Sequence, residues 1–201
     1  MDERIRSITT EMVKVADDVK ASFGGLSPEQ LNWKPAEDSW SVAQCLDHII
    51  RTNHEFDEEF AKFQSGTRKN SFWENYSPLT GWFGRFLIKT AKEDSKKVKA
   101  PSPRIVPPSE IEDDIVDRFV DEISVVNSKV AAAEGVDRQK TVLSSPFLRL
   151  FTYKLDDALT LLVEHTKRHI RQAKRVMEAE GFPHGNPLTE WLETRTEAAA
   201  E

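Results

Sequence analysis

The sequence predicts an all-α protein, a four-helix bundle with a long irregular segment between its second and third helices. Three observations support this: four long amphipathic stretches, two capping-box patterns, and no alternation of apolar and polar residues of the kind strands show. Of the 201 residues, 38% are hydrophobic and 31% charged, which is enough apolar material for one core. We therefore expect a single domain over residues 1–192 and a frayed tail over residues 193–201.

The first helix is predicted over residues 4–23. Its apolar residues recur at alternating spacings of three and four, as in Ile5, Ile8, Met12, Val15 and Val19. Gly24 and Gly25 end the helix. In the connector that follows, Ser27 at the N-cap and Pro28 at the first helical position predict a single turn of helix.

The second helix has a clear beginning. Ser41 is followed three residues later by Gln44, which is a capping-box pattern. One apolar stripe then continues to about residue 63 and predicts a face packed in the core, with members Val42, Leu46, Ile49, Phe56, Phe60 and Phe63.

Residues 64–110 show the least regular pattern, and we expect only a short helix near residues 80–90. The aromatic residues of this segment predict either a satellite core, a pocket for an apolar electrophile or an exposed interaction surface: Trp73, Tyr76, Trp82 and Phe86. A cluster of basic residues favours a solvated face over an anion contact: Lys96, Lys97, Lys99 and Arg104.

The third helix is predicted to begin at Ser109, where Glu112 completes a second capping box, and to end before Gly135. The fourth is predicted from about Thr152 to about Glu180, where Gly181 stops it. Its buried face is marked by Leu155, Leu159, Leu162, Ala173 and Val176.

Composition excludes several functional classes. Cys45 is the only cysteine, so the chain cannot form an internal disulfide. The net charge of −6 argues against nucleic-acid binding, which needs a basic surface. No apolar run approaches the roughly 20 residues of a membrane span, and the charged N-terminus lacks the apolar core of a signal peptide. We expect a cytoplasmic protein with no membrane or nucleic-acid partner.

Two of the five histidines, His165 and His169, are four residues apart on the fourth helix. This spacing puts both imidazoles on one helical face, where a pair of histidines can bind a metal ion. His169 falls on the apolar stripe and His165 on its flank, in places where the pattern calls for leucine. The alternative to a metal site is that this segment is simply the basic C-terminal end of a helix, since five Lys and Arg residues lie within positions 167–175.

A metal centre with an open position needs a third protein ligand, and the second helix offers His48 and His54. The helical wheel places each about 120° from the centre of the apolar stripe, on opposite sides. Cys45 and Phe63 shift the buried face slightly toward His48. The pattern itself leaves both candidates open.

Two segments carry a family resemblance: LSPEQLNWKPAEDSWSVAQCLDHI at residues 26–49 and HTKRHIRQ at residues 165–172. Together they resemble the entry to the second helix and the H-x-x-x-H motif of the DinB/YfiT-like superfamily of metal-binding four-helix bundles. The resemblance implies a divalent metal, usually zinc or nickel, held by His48, His165 and His169. It gives no ligand role to His54 or His184, which we expect at the surface.

Relatives of this kind include S-transferases that use bacillithiol, mycothiol or related low-molecular-weight thiols, and others resemble hydrolases. The resemblance therefore implies a metal-dependent transferase that acts on small electrophiles, with a thiol or water activated by the metal. A hydrolase and a non-catalytic metal-binding or interaction bundle are the alternatives, and a homodimer is compatible with the family. Gln172 is a candidate for orienting a ligand histidine, whereas Cys45 and Glu164 are weaker candidates near the site.

Overall fold

The computed structural model describes residues 2–93 and 100–185, and that part of the chain is mostly helical with one small antiparallel sheet. The prediction of a helical protein is confirmed. The elements in chain order are α1 (Glu3–Phe23), α2 (Pro28–Asn32), α3 (Val42–His54), α4 (Asp57–Gln64), α5 (Phe72–Tyr76), α6 (Thr80–Lys92), a 3₁₀ turn (Pro103–Ile105), α7 (Ile115–Ala131), β1 (Val142–Ser144), β2 (Thr152–Lys154) and α8 (Leu155–Met177).

Most of the core lies between four of the long helices. Helix α1 packs against α7 and α8, and α3 packs against the same two helices. The predicted stripe of α1 is buried in full, and α3 begins with the predicted capping box, in which Ser41 and Gln44 exchange two hydrogen bonds of 3.1 Å. These contacts fix α3 beside α8, which brings the histidine-bearing helices together.

The predicted second helix is not continuous to residue 63. It ends at His54, and a new helix, α4, begins at Asp57 after a turn in which the Phe56 amide donates to the Asn53 carbonyl. Three acidic residues stand in the first turn of α4, where they suit the positive end of the helix dipole. The apolar stripe hides this break because Phe56, Phe60 and Phe63 keep a helical spacing across it.

The predicted start of the third helix is wrong. Helix α7 begins at Ile115, six residues after Ser109, and its N-cap, Asp114, makes no side-chain cap bond. The backbone of Ile111 is held instead by Asn32, whose side-chain amide accepts from the Ile111 N–H at 2.9 Å and donates to its carbonyl at 2.8 Å. This tie to α2 keeps the segment out of a helix.

The prediction also missed a two-stranded sheet. Residues 152–154, predicted as the first turn of the fourth helix, form β2, which pairs with β1 so that Leu143 faces Tyr153. Strands of three residues are too short to show an alternating pattern. Helix α8 therefore begins at Leu155, directly after the sheet.

Between α4 and α7, the chain forms α5, α6 and the 3₁₀ turn, so this segment is more regular than predicted. Its anchor is Glu74, which is buried and accepts hydrogen bonds from the Ser71 and Ser144 amides at 2.7 and 3.0 Å. The Arg68 guanidinium donates to the same carboxylate at 3.0 Å. Burial alone would raise the pKa of Glu74, but these bonds outweigh it and hold the pKa below its ordinary value.

Some predictions fall outside the described residues, namely the tail at 193–201 and three members of the basic cluster, Lys96, Lys97 and Lys99. The fourth member, Arg104, forms an ion pair of 3.2 Å with Glu55. In the part of the chain that the structure describes, no helix is both long enough and apolar enough to cross a bilayer.

Candidate metal centre

His48 on α3 and His165 and His169 on α8 converge at one point. One nitrogen of each ring lies within 4.8 Å of the corresponding nitrogens of the other two. The ring centroids are 4.5 Å apart for His48 and His169, 4.6 Å for His165 and His169, and 5.2 Å for His48 and His165. The structure thus brings together the three histidines that the family resemblance selects.

His48 is 4% exposed and is oriented by the backbone. Its Nδ1 lies 2.7 Å from the carbonyl oxygen of Ile105, in the 3₁₀ turn. A carbonyl can only accept, so the ring donates from Nδ1 and its Nε2 keeps a free lone pair. That tautomer is the one that a metal ligand of this kind needs.

His169 is oriented in the same way by a side chain. Its Nδ1 lies 3.0 Å from Oε1 of Gln172, three residues further along α8. Because the amide oxygen accepts, the ring again donates from Nδ1 and leaves Nε2 free. Gln172 therefore makes the contact expected of a residue that orients a ligand.

Trp40 forms a wall of the site, a role that the sequence reasoning did not assign to it. Its ring centroid lies 4.7 Å from that of His48 and 5.7 Å from that of His169. The residue directly precedes the Ser41 cap of α3, so the capping box that starts the helix also positions the indole. Only its place in the segment that resembles the family pointed to it.

All three imidazoles are neutral at pH 7. Burial lowers the pKa of His165 to about 3, helped by its proximity to His48 and Arg168. Burial likewise holds the pKa of His169 well below its usual range. For His48 burial again lowers the pKa, although the bond to Ile105 opposes the shift. Three neutral imidazoles, two of them with Nδ1 satisfied and Nε2 free, fit a divalent cation.

The other predicted candidates lie elsewhere. His54 is turned to the α7 side, where its Nε2 is 3.1 Å from the buried carboxylate of Glu122. His184 packs on Phe182, with ring centroids 5.1 Å apart. Cys45 is buried in the core, which raises the pKa of its thiol, and Glu164 is half-buried on α8. None of the four belongs to the group of converging ligands within the described chain.

The three histidines line a cavity of about 1220 Å³. Three residues of the predicted core stripes are half-buried, since they pack against the core and also line this cavity: Phe56, Phe60 and Leu162. The aromatic residues of segment 73–86 that were predicted to form a pocket do not line this cavity. Two of them, Tyr76 and Trp82, are 71% and 57% exposed. Phe83 and Leu87, on the neighbouring side of α6, line the cavity instead.

The fold and the three converging histidines define a class of protein: a helical protein with a cavity in which three imidazoles could bind one metal ion. The model of the DinB superfamily matches residues 11–173, which include the three histidines, all of α2 to α7 and the larger part of α1 and α8. The chain therefore belongs to the DinB superfamily. No curated protein and no solved structure matches it.

Proposed function

We propose that this protein is a metal-dependent enzyme, built on a four-helix bundle of the DinB/YfiT-like type, that transfers a low-molecular-weight thiol to small electrophiles. The observation that carries the proposal is the group of three neutral histidines in the wall of a large cavity. The three rings have pKa values below 6.5 and are therefore neutral lone-pair donors at pH 7, which makes them a suitable ligand set.

Zinc or nickel is the ion that we expect, held by His48, His165 and His169. When bound to three neutral ligands, such an ion keeps its double charge and lowers the pKa of a nearby thiol or water. The chain itself sets the ligand geometry: the Ile105 carbonyl and the Gln172 amide fix two of the rings, and the Trp40 indole covers one side.

In the proposed reaction the thiol sulfur forms a bond to the electrophilic carbon while the bond from that carbon to its leaving group breaks. The leaving group takes the electron pair, and the thiol proton passes to solvent. The cavity contributes by holding both reactants next to the histidines, which replaces a random encounter in water with an oriented one.

Elemental analysis of the untagged protein tests the metal. We expect near-stoichiometric zinc or nickel in the wild type and its loss in His48→Ala, His165→Ala and His169→Ala. The matched control is His54→Ala, which removes a histidine of α3 outside the group and should keep the metal. A wild type that stays metal-free after reloading would overturn the proposal.

The reaction is tested on the metal-loaded protein with thiol and a panel of electrophiles, followed by product mass. A thioether product, formed by the wild type and lost in His165→Ala, is the expected result. A hydrolysed product formed without thiol would instead identify a hydrolase that uses the same three histidines.

A further inference from the structure

The cavity extends in two directions from the histidines along α8. Its lining includes Ala158 and Leu162 before the pair and Gln172 and Val176 after it. At 1.5 Å per residue, Ala158 lies about 10 Å along the axis from His165, and Val176 lies about 10 Å beyond His169. The histidines thus stand near the middle of an elongated cavity, between two arms.

Contacts between the neighbouring elements show which residues line each arm. Helix α6 runs beside α8, since Gly84 approaches Asp157 so closely that an added Cβ would lie 2.5 Å from the Asp157 carboxylate. Phe83 next to it is 6.3 Å from Tyr153, measured between ring centroids. The charge of Glu59 on α4 helps to raise the pKa of the Tyr153 phenol, so α4 also lies near Tyr153 and the start of α8.

The arm at the Ala158 end is therefore predominantly apolar, and we call it the apolar arm. Its wall includes Phe56, Phe60, Phe83, Leu87, Tyr153 and Leu162, with Asn53, Lys129 and Ser145 as polar members of the lining. The arm at the other end is more polar and we call it the polar arm, since Asp38, Ser39, Gln172 and Arg175 stand in its lining beside Pro35, Trp40 and Val176. The two ends thus suit chemically different molecules, or chemically different ends of one molecule.

We infer that the electrophilic substrate carries an extended alkyl or aryl group, which lies in the apolar arm with the reactive carbon toward the histidines. This inference rests on the proposed function for the reaction and on the cavity alone for the group that binds. A polar substrate of the same length would lose its hydrogen bonds to water against aromatic carbon, which opposes binding. The hydrophilic thiol then takes the polar arm.

The apolar arm is tested by direct binding to the metal-free, full-length protein, so that the result does not depend on activity. The neutral dye N-phenyl-1-naphthylamine reports occupancy by its fluorescence, and 1-alkanols from butanol to octanol compete for the site. We expect affinity to rise about fourfold with each added methylene, as for transfer of one CH₂ out of water.

Two variants within the arm test the location. Ala158→Phe fills the arm and Leu162→Gln makes it polar, and each should weaken octanol binding at least tenfold and flatten the increase with chain length. The control is Ala21→Phe, the same change at an exposed position of α1, which should behave as the wild type. If circular dichroism shows that Ala158→Phe does not fold, Leu162→Gln alone decides.

Equal binding of octanol to the wild type and both variants would place the apolar site elsewhere and overturn the inference, as would a wild type without affinity for alkanols. Neither result would affect the metal content or the product analysis. Conversely, a protein without metal could still bind alkanols in the arm, so the two failures can be told apart.

Discussion

The cavity wall formed by α3 and α8 and the aromatic surface of α5 and α6 are opposites in how they use residue types. In the wall, polar histidines line a cavity: His48 and His169 are buried, and His165 is half-buried. On the surface, Phe72, Tyr76 and Trp82 are 80%, 71% and 57% exposed although their type favours burial. Only the first mismatch brings groups together that can do joint chemistry.

Polar groups removed from water indicate a functional site more strongly than exposed apolar groups do. Exposed apolar groups make up much of the surface of a folded protein, and the aromatic pairs here, Phe72 with Tyr76 and Trp82 with Phe86, contain no histidine, cysteine or carboxylate that could bind a metal ion. Imidazoles removed from water, largely for His48 and His169 and in part for His165, cost free energy unless something compensates for them. The wall should therefore respond strongly to changes in conditions and the surface weakly.

The largest effect that we expect is the response of the wall to pH in the metal-free protein. The folded pKa values of His48, His165 and His169 lie below the unfolded value of about 6.5, so the unfolded chain binds more protons below that pH. Stability is then fully present above pH 6.5 and is lost as the pH falls toward about 3. Between pH 7 and pH 5, His165 alone accounts for about 2 kcal/mol.

Urea unfolding followed by circular dichroism at pH 7, 6 and 5 measures this loss. His165→Leu should flatten the pH profile, whereas His54→Ala, at a half-exposed histidine of α3, should leave it as steep as in the wild type. An identical profile for His165→Leu and the wild type would show that the buried imidazoles do not cause the pH dependence.

The second effect concerns the anchor that holds α5 to the sheet. Glu74→Ala should lower the free energy of unfolding by about 2 kcal/mol, because the Arg68 guanidinium and the Ser144 amide lose a buried carboxylate. Urea unfolding at pH 7 gives the value. Glu93→Ala, at an exposed residue 3.7 Å from Lys89, is the control, and a similar small change in both variants would contradict the anchoring role.

The smallest effect is expected on the aromatic surface. Trp82 and Phe86 stack on each other with ring centroids 5.3 Å apart, but both are about half exposed. Trp82→Ser and Phe86→Ser should each change the free energy of unfolding by less than about 0.5 kcal/mol and leave the metal content unchanged. A loss of metal in either variant would mean that the surface and the wall are coupled.

The sequence predicted those features that depend on local chemistry. The capping box at Ser41 and the stripe of α1 need only residues within a few positions of one another, and both are present. The late start of α7 could not be predicted, because Asn32 reaches Ile111 across 79 positions. The strands at 142–144 and 152–154 are stabilised by pairing with each other, and three residues are too few to show a strand pattern in the sequence.

The candidate site divides along the same line. The spacing of His165 and His169 was readable from one helix, but the choice between His48 and His54 was not. That choice depends on the Ile105 carbonyl and on Glu122, which lie 57 and 68 positions away in sequence. The place of Trp40 in the wall of the site could not be predicted either, since its contact with His169 forms only when α3 packs against α8.

The two oriented histidines differ in how easily their partners can change during evolution. Gln172 holds His169 through a side chain, so a single codon change can remove that contact. Ile105 holds His48 through its backbone carbonyl, so most substitutions at position 105 preserve the acceptor. Position 105 can therefore change among the apolar residues that its buried side chain allows without loss of the contact, whereas a change at position 172 to a residue without an acceptor would remove the partner of His169.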